Sequence, residues 1–218
     1  MPTPPTHERL VARLVADARP VRPLWSPHTR LALWLVLQVL TLGVAVEFGL
    51  RQDLGDHLRQ PHFLFEVRAL VAAGAMAAAV ALRGAIPGMG SGRLTVTSSM
   101  ALVSAAVVLV SLEPANAVRS AGDFMASGAQ CLLCILGFSE IPWTALFVAV
   151  HRAAPLDPPV MGAYVGAAAF LFAAAVVRIA CPIDEEIHLL AWHMVPIASG
   201  AALSAIAGAR WLDRWRQA

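Results

Sequence analysis

The chain contains no lysine and little charge of either sign, and both shortages narrow its class. Its 218 residues are 58% hydrophobic and 14% charged, whereas a typical soluble domain is about a quarter charged. All 16 basic residues are arginine, and the formal net charge of +2 is too small to indicate a nucleic-acid-binding surface. Water is therefore not the main solvent of this chain, and direct nucleic-acid binding is excluded.

Catalytic motifs are also missing. The sequence contains no recognisable phosphate loop, HExxH zinc motif or hydrolase triad. We therefore expect a protein that is not an enzyme and has no obligatory cofactor. The first 30 residues contain five arginines and no apolar run before Leu31, so a retained N-terminus is expected rather than a cleaved signal peptide.

Long apolar stretches take the place of charge. A helix needs about 20 residues to cross a hydrocarbon core about 30 Å thick. Six stretches satisfy this requirement: Leu31–Leu50, Phe63–Leu82, Leu94–Leu112, Phe124–Val150, Val160–Val177 and Ile187–Ala209. The predicted fold is all-α, a polytopic membrane bundle of six transmembrane helices with a short cytoplasmic amphipathic segment at its N-terminus. The predicted boundaries are 1–29 for this segment, 30–209 for the membrane domain and 210–218 for a cytoplasmic tail.

Arginine placement predicts the orientation, because positively charged loops resist translocation. With the N-terminus inside, eleven arginines lie in cytoplasmic segments and four lie outside. The inside set is Arg9, Arg13, Arg19, Arg22, Arg30, Arg83, Arg93, Arg152, Arg210, Arg214 and Arg216; the outside set is Arg51, Arg59, Arg119 and Arg178. We expect a multi-pass protein of the bacterial inner membrane, embedded in the lipid bilayer with both termini in the cytoplasm.

Small residues are frequent in the predicted spans and permit close helix packing. Gly162 and Gly166 form one such pair. We interpret this pair as intramolecular bundle packing rather than as a dimer motif. The oligomeric state stays open.

The predicted topology places three cysteines on the periplasmic side, Cys131, Cys134 and Cys181. Cys131 and Cys134 are three residues apart, which predicts side chains on one face of a helix. Thiols beside imidazoles suit a thiophilic or borderline metal ion, and thiols alone suit a disulfide switch. We interpret Cys131 and Cys181 as signal-sensing residues and Cys134 as a packing residue.

Two histidines, His188 and His193, lie at a similar depth and are candidate ligands of a regulatory metal ion together with Cys131 and Cys181. His188 lies nearer the interface, where an exposed imidazole is the simpler expectation. The only carboxylate deep in a span is Glu140, which we expect to face the bundle interior as a packing hydrogen bond rather than a proton relay.

Other charged residues lie close enough to the outer interface to reach water. These are Glu47, Glu66 and Arg68, which are expected to snorkel.

The N-terminal segment is predicted to contain a short amphipathic helix from His7 to Ala18. Its apolar residues recur at i, i+1, i+4 and i+5. A helix this short is marginal alone in water, which favours folding on a partner or a membrane surface. Anionic lipid is the alternative ligand of this basic segment. The residues expected to bind a partner are Leu10, Val11, Leu14, Val15, Asp17, Pro20, Arg22 and Pro23.

One family resembles this chain over nearly its whole length. The segment Leu14-Val-Ala-Asp-Ala-Arg-Pro-Val-Arg-Pro-Leu-Trp-Ser-Pro27, the six spans, Cys131, Cys181 and the Trp192-His193 pair are similar to those of the NrsF-type anti-sigma factors. The resemblance implies a cytoplasmic N-terminal segment that holds an extracytoplasmic-function sigma factor. It also implies periplasm-facing cysteines that respond to metal or oxidative stress and release the sigma factor. Cys134 is an addition to the family pattern.

Two other functions compete with this interpretation. Cys131-Leu-Leu-Cys134 is a CxxC sequence and would suit a membrane thiol-disulfide oxidoreductase. A small transporter is the other alternative, but interrupted spans in matching halves are not clear. A relay between two cysteine pairs would need a fourth cysteine, and the chain has three.

Overall fold

The computed structural model describes residues 6–16, 23–89 and 120–213, with a few positions between 97 and 108. All elements assigned in this part of the chain are helical, which confirms the all-α prediction. We number them α1 Thr6–Ala16, α2 Pro27–Phe48, α3 Leu54–His57, α4 Pro61–Gly84, α5 Ala121–His151, α6 Pro158–Ala180, α7 Glu186–Leu189 and α8 Val195–Trp211, with a π-helical turn, Leu190–Met194, before α8.

Five helices in the described residues are long and apolar enough to span a membrane. They are α2, α4, α5, α6 and the continuous segment Glu186–Trp211. The predicted third span, Leu94–Leu112, lies outside the described residues apart from the few positions already given. The described part therefore agrees with the predicted six-span architecture.

The first span begins earlier than predicted, at Pro27 rather than Leu31. Proline favours the first turn of a helix, and the Ser26 hydroxyl caps this turn by accepting from the Thr29 N–H at 3.2 Å. Arg30 does not end the span, because its guanidinium turns inward and donates to the Ala149 carbonyl. The first span therefore includes Arg30, which was expected to lie just before it.

Helix α6 is the central helix, and most of it is buried. Its glycines permit close contact with α8: a Cβ on Gly162 would lie 2.3 Å from the Ser204 carbonyl oxygen, and one on Gly166 would lie 2.5 Å from that of Gly200. These distances are too short for any side chain, so the predicted intramolecular packing of the Gly162 and Gly166 pair is confirmed.

Buried apolar residues form two clusters along the bundle. One includes Trp34, Leu146 and Phe172, with the Trp34 and Phe172 rings edge to face at 5.2 Å. The other includes both Cys131 and Cys181. The cysteines therefore lie in the packed interior, Cys131 in the first half of α5 and Cys181 directly after α6.

Glu140 does not face the interior, so that expectation is wrong. The buried side of α5 passes through Cys131, Ile135, Ser139 and Pro142. At about 100° per residue, position 140 turns away from Ser139 and is exposed.

Candidate functional site

Four chemically reactive side chains meet where α5, α6 and the π-helical turn converge. The Sγ atoms of Cys131 and Cys181 lie 3.6 Å apart, and His188 Nε2 lies 3.5 Å from the first and 3.7 Å from the second. One ligand atom from each of Cys131, Cys181, His188 and His193 lies within 4.8 Å of the others, and all four residues are buried. We call these four residues the thiol-imidazole cluster.

Local sequence explains the position of Cys181. It follows the last residue of α6, and its N–H still donates to the Val177 carbonyl at 2.7 Å. Pro182 comes next, and a residue before proline is pushed out of the helical region. Cys181 accordingly has an extended backbone, with φ −74° and ψ 122°, and α6 ends there. This places its buried thiol beside that of Cys131.

The π-helical turn brings the two histidines to one side. Its hydrogen bonds join residues five apart, and the Val195 N–H donates to the Leu190 carbonyl. Residues five apart in an α-helix point about 140° apart, but His188 and His193 have ring centroids 5.7 Å apart. Pro196 favours the wider turn, because it has no N–H to donate to a carbonyl four residues earlier.

A glycine on α5 sets how closely this turn approaches. A Cβ on Gly128 would lie 2.0 Å from Cε2 of Trp192. The indole therefore packs directly on the helix backbone, one turn before Cys131. Gly128 and Trp192 act as a spacer that keeps His193 near the cysteines.

The donor set of the thiol-imidazole cluster fits a metal ion. Two thiolates and two imidazoles are a common tetrahedral set for zinc. Among the described residues, His188 Nδ1 and both ring nitrogens of His193 are buried without a hydrogen-bond partner. Buried polar atoms of this kind usually have a partner, and a cation at the thiols would supply one for a ring nitrogen of His193.

Two sequence expectations are corrected here. His188 is 0% exposed rather than lying at the interface, because the chain turns inward at α7 and the Phe124 ring lies edge-on to it at 6.3 Å. Cys134 is exposed and does not pack, whereas Cys131 is buried. Three residues leave about 60° between two side chains on a helix, which here spans the edge of the buried face. The nearby thiol partner of Cys131 is Cys181.

An ion network beside the cluster, which the sequence did not predict, anchors the loop that follows Cys181. Arg178 Nε donates to Glu66 at 3.0 Å, and Nη1 of Arg178 donates to Asp184 at 2.6 Å. Arg51 joins the network by donating to Asp53 and Asp184, each at 2.6 Å. Arg178 and Glu66 are each 1% exposed, so the expectation that Glu66 snorkels to the interface is wrong.

The charges of this network are mutually stabilised. Burial disfavours ionisation of Asp184, but hydrogen bonds from Arg51 and Arg178 outweigh burial and hold the pKa of the carboxyl well below its ordinary value. The hydrogen bond to Asp184 also raises the pKa of Arg51. A hydrogen bond from Arg51 lowers the pKa of Asp53. The loop after Cys181 therefore stays ionised and anchored at neutral pH.

The N-terminal helix presents a second candidate site. Helix α1, Thr6–Ala16, confirms the predicted short amphipathic helix, and the predicted last residue, Ala18, lies outside the described residues. Pro23 is exposed, and Asp17, Pro20 and Arg22 lie outside the described residues. The apolar residues of the helix are each more than half exposed: Leu10, Val11, Leu14 and Val15. This apolar face is open to a partner.

Comparison with protein families identifies the chain. A family model described as NrsF, negative regulator of sigma F, matches residues 14–215. The chain belongs to the NrsF family. The predicted resemblance is therefore confirmed, and with it an anti-sigma role and a sigma factor as partner. No curated protein and no solved structure matches this NrsF chain.

The spacer can be tested in this NrsF protein with Gly128→Ala. Alanine normally favours a helix over glycine, but here its methyl group would meet the Trp192 ring, so we expect destabilisation of about 1–3 kcal/mol. Gly137→Ala is the matched control, because nothing lies within 4 Å of its Cβ position on the same helix. Thermal unfolding in detergent measures the stability of both variants. Equal unfolding midpoints for Gly128→Ala and Gly137→Ala would contradict the role of Gly128 as a spacer.

The ion network predicts a pH dependence for Asp184→Asn. Because the pKa of folded Asp184 is depressed, its ionised form stabilises the fold above the ordinary carboxyl value of about 3.9 and loses this effect as pH falls further. We expect a lower thermal midpoint for the variant from about pH 8 to about pH 6, and a narrowing difference from wild type below about pH 4.

Asp56→Asn is the control for this measurement, because Asp56 pairs with Arg59 at 3.6 Å on an exposed surface. Such pairs contribute little, so its midpoint should follow wild type at every pH. A difference between Asp184→Asn and wild type that persists unchanged to about pH 3 would contradict the network.

Proposed function

We propose that this protein sequesters an extracytoplasmic-function sigma factor at the bacterial inner membrane and releases it when the thiol-imidazole cluster receives a signal. The observation that carries the proposal is the convergence of Cys131, Cys181, His188 and His193 in one buried site. A regulator of transcription has no structural need for such a donor set, and four buried donors are the usual content of a metal site. The arginine distribution supports a periplasmic cluster and a cytoplasmic α1.

The sigma factor is held by the apolar face of α1. This helix has 11 residues, which is too short for stability in water without a partner. Burial of Leu10 and Leu14 against the sigma factor would supply that stability, since a fully buried leucine contributes about 1.5–3 kcal/mol. Occupying the sigma factor in this way keeps it from RNA polymerase.

Helix α5 is the proposed connection between the two sites. Cys131 lies towards one end of α5, and the Ala149 carbonyl at the other end accepts from Arg30 of α2. Closer to its middle, the Pro142 carbonyl accepts from Trp34 Nε1 of α2 at 2.9 Å. Because α2 follows the segment that leads from α1, a shift of α5 at the cluster moves the base of the partner-binding segment.

The favoured signal is a thiophilic divalent cation such as Zn²⁺ or Cd²⁺. It would be bound by the two thiolates and by the imidazoles of His188 and His193. Binding would draw α5, α6 and the π-helical turn together. The two imidazoles favour this signal, because all four donors can bind one tetrahedral cation whereas a disulfide joins only the two sulfur atoms.

A disulfide switch is the second candidate, favoured by the 3.6 Å between the two sulfur atoms. The Cys131 and Cys181 thiols would give two electrons and two protons to hydrogen peroxide, forming one S–S bond and two molecules of water. The sulfur atoms would approach to about 2.05 Å. Both signals tighten the same contact between α5 and α6.

Reporter induction tests the cluster. Cys131→Ser and Cys181→Ser should retain sigma factor in membrane co-purification and abolish its release by Cd²⁺ or peroxide. Cys134→Ser is the matched control and should respond normally, because Cys134 is exposed and outside the cluster. His193→Gln separates the signals: loss of the Cd²⁺ response with a retained peroxide response indicates metal ligation. Normal induction in both buried cysteine variants would overturn the proposal.

A further inference from the structure

A groove lies at the opposite end of the bundle from the cluster, between the start of α2 and the end of α5. Its volume is about 740 Å³, within the roughly 300–1,000 Å³ typical of small-molecule sites. Residues of the segment that leads from α1, including Leu24 and Trp25, line one side. The groove takes no part in the proposed sensing chemistry.

The positive charge in this groove has no negative partner among the described residues. Arg30 and Arg152 both line it, and they lie close enough for their charges to repel. Arg30 is only 9% exposed, and its Nη1 is buried without a hydrogen-bond partner among the described residues. No acidic residue of the described chain lines the groove. A buried guanidinium is costly without an anion, so an anionic ligand would relieve both burial and repulsion.

The remaining wall of the groove is apolar. Leu33 and Leu37 of α2 and Val148 of α5 contribute to it, and Leu33 and Val148 remain exposed. Both helices are membrane spans by length and composition, so this wall faces hydrocarbon. Trp25, which is 66% exposed, lies at the charged end, where indole rings favour the headgroup region.

We propose that this groove binds an anionic phospholipid, with the phosphate between Arg30 and Arg152 and an acyl chain along Leu33, Leu37 and Val148. Basic pockets between membrane helices recognise lipid headgroups in this way. The apolar wall distinguishes the lipid from free phosphate, which shares the headgroup chemistry but has no chain to cover it. This proposal requires membrane insertion and does not depend on the sensing function.

Native mass spectrometry of the full-length protein in detergent tests the site. The protein is mixed with equal amounts of phosphatidylglycerol and phosphatidylcholine, and retained lipid is counted as detergent micelles are removed. We expect wild type to retain phosphatidylglycerol in preference to phosphatidylcholine. Arg152→Gln should lower the ratio of the two retained lipids about fivefold. Arg210→Gln is the matched control, because it removes an exposed arginine at the end of α8, outside the groove, and should leave the preference intact.

A second variant and a competition experiment with inorganic phosphate complete the test. Arg30→Gln should lose the preference as well, and Arg152→Gln, at an exposed position, decides the matter if Arg30→Gln does not fold. Millimolar inorganic phosphate should leave retained phosphatidylglycerol unchanged. Equal retention of the two lipids, equal losses in Arg152→Gln and Arg210→Gln, or displacement of the lipid by phosphate would each overturn the proposal. Equal retention with weakened sigma-factor co-purification in Arg152→Gln would instead identify a protein-docking surface.

Discussion

The buried guanidinium of Arg178 holds the part of the bundle on which the thiol-imidazole cluster depends. It bridges Glu66 on α4 and Asp184 in the loop after α6. A charge at this depth is tolerated because carboxylates meet it, and removing one partner of such a buried pair costs about 3–5 kcal/mol. Cys181 lies between Arg178 and Asp184 in the sequence, so its backbone is fixed on both sides. Arg51 extends the anchor to the loop after α2.

Backbone geometry, together with the ion network, positions the residues of the thiol-imidazole cluster. Pro182 ends α6 at Cys181, and Pro196 accompanies the π-helical turn that rotates His193 towards His188. The absence of a side chain at Gly128 lets the Trp192 indole approach α5. Each of these features acts locally, and together they place four donor atoms within 4.8 Å of one another. The spans that carry the cluster follow α1 in the chain, so they connect the proposed sensing site with the proposed partner-binding helix.

Much of this architecture is predictable from periodicity and length, because a hydrocarbon environment requires long apolar helices. The spans, the α1 helix and the close packing of Gly162 and Gly166 within the bundle follow from such patterns. The geometry of the bundle interior does not follow from these patterns. Glu66 was expected at the interface because its partner, Arg178, lies 112 residues away. His188 was expected to be exposed because sequence spacing does not reveal that the chain turns inward at α7.

Face assignment within a span was the other weak point. Glu140 and Cys134 each lie close in angle to buried residues of α5, and a rotation of about 60–100° separates buried from exposed positions. Hydropathy cannot resolve that difference when both sides of a helix are apolar. The identities of Cys131, Cys181 and His193 as candidate ligands could nevertheless be proposed in advance, since residue type and predicted depth depend little on the rotation of a helix.

The central claim is that the exposed apolar face of α1 holds the sigma factor while the membrane bundle controls its release. Co-purification of the sigma factor with full-length protein carrying both Leu10→Ala and Leu14→Ala tests it most directly. The account predicts at least a tenfold loss of bound sigma factor, since two partly buried leucines contribute more than about 1.4 kcal/mol. Arg9→Gln, on the opposite face of α1, should bind as wild type does. Undiminished binding by the double variant would contradict the account.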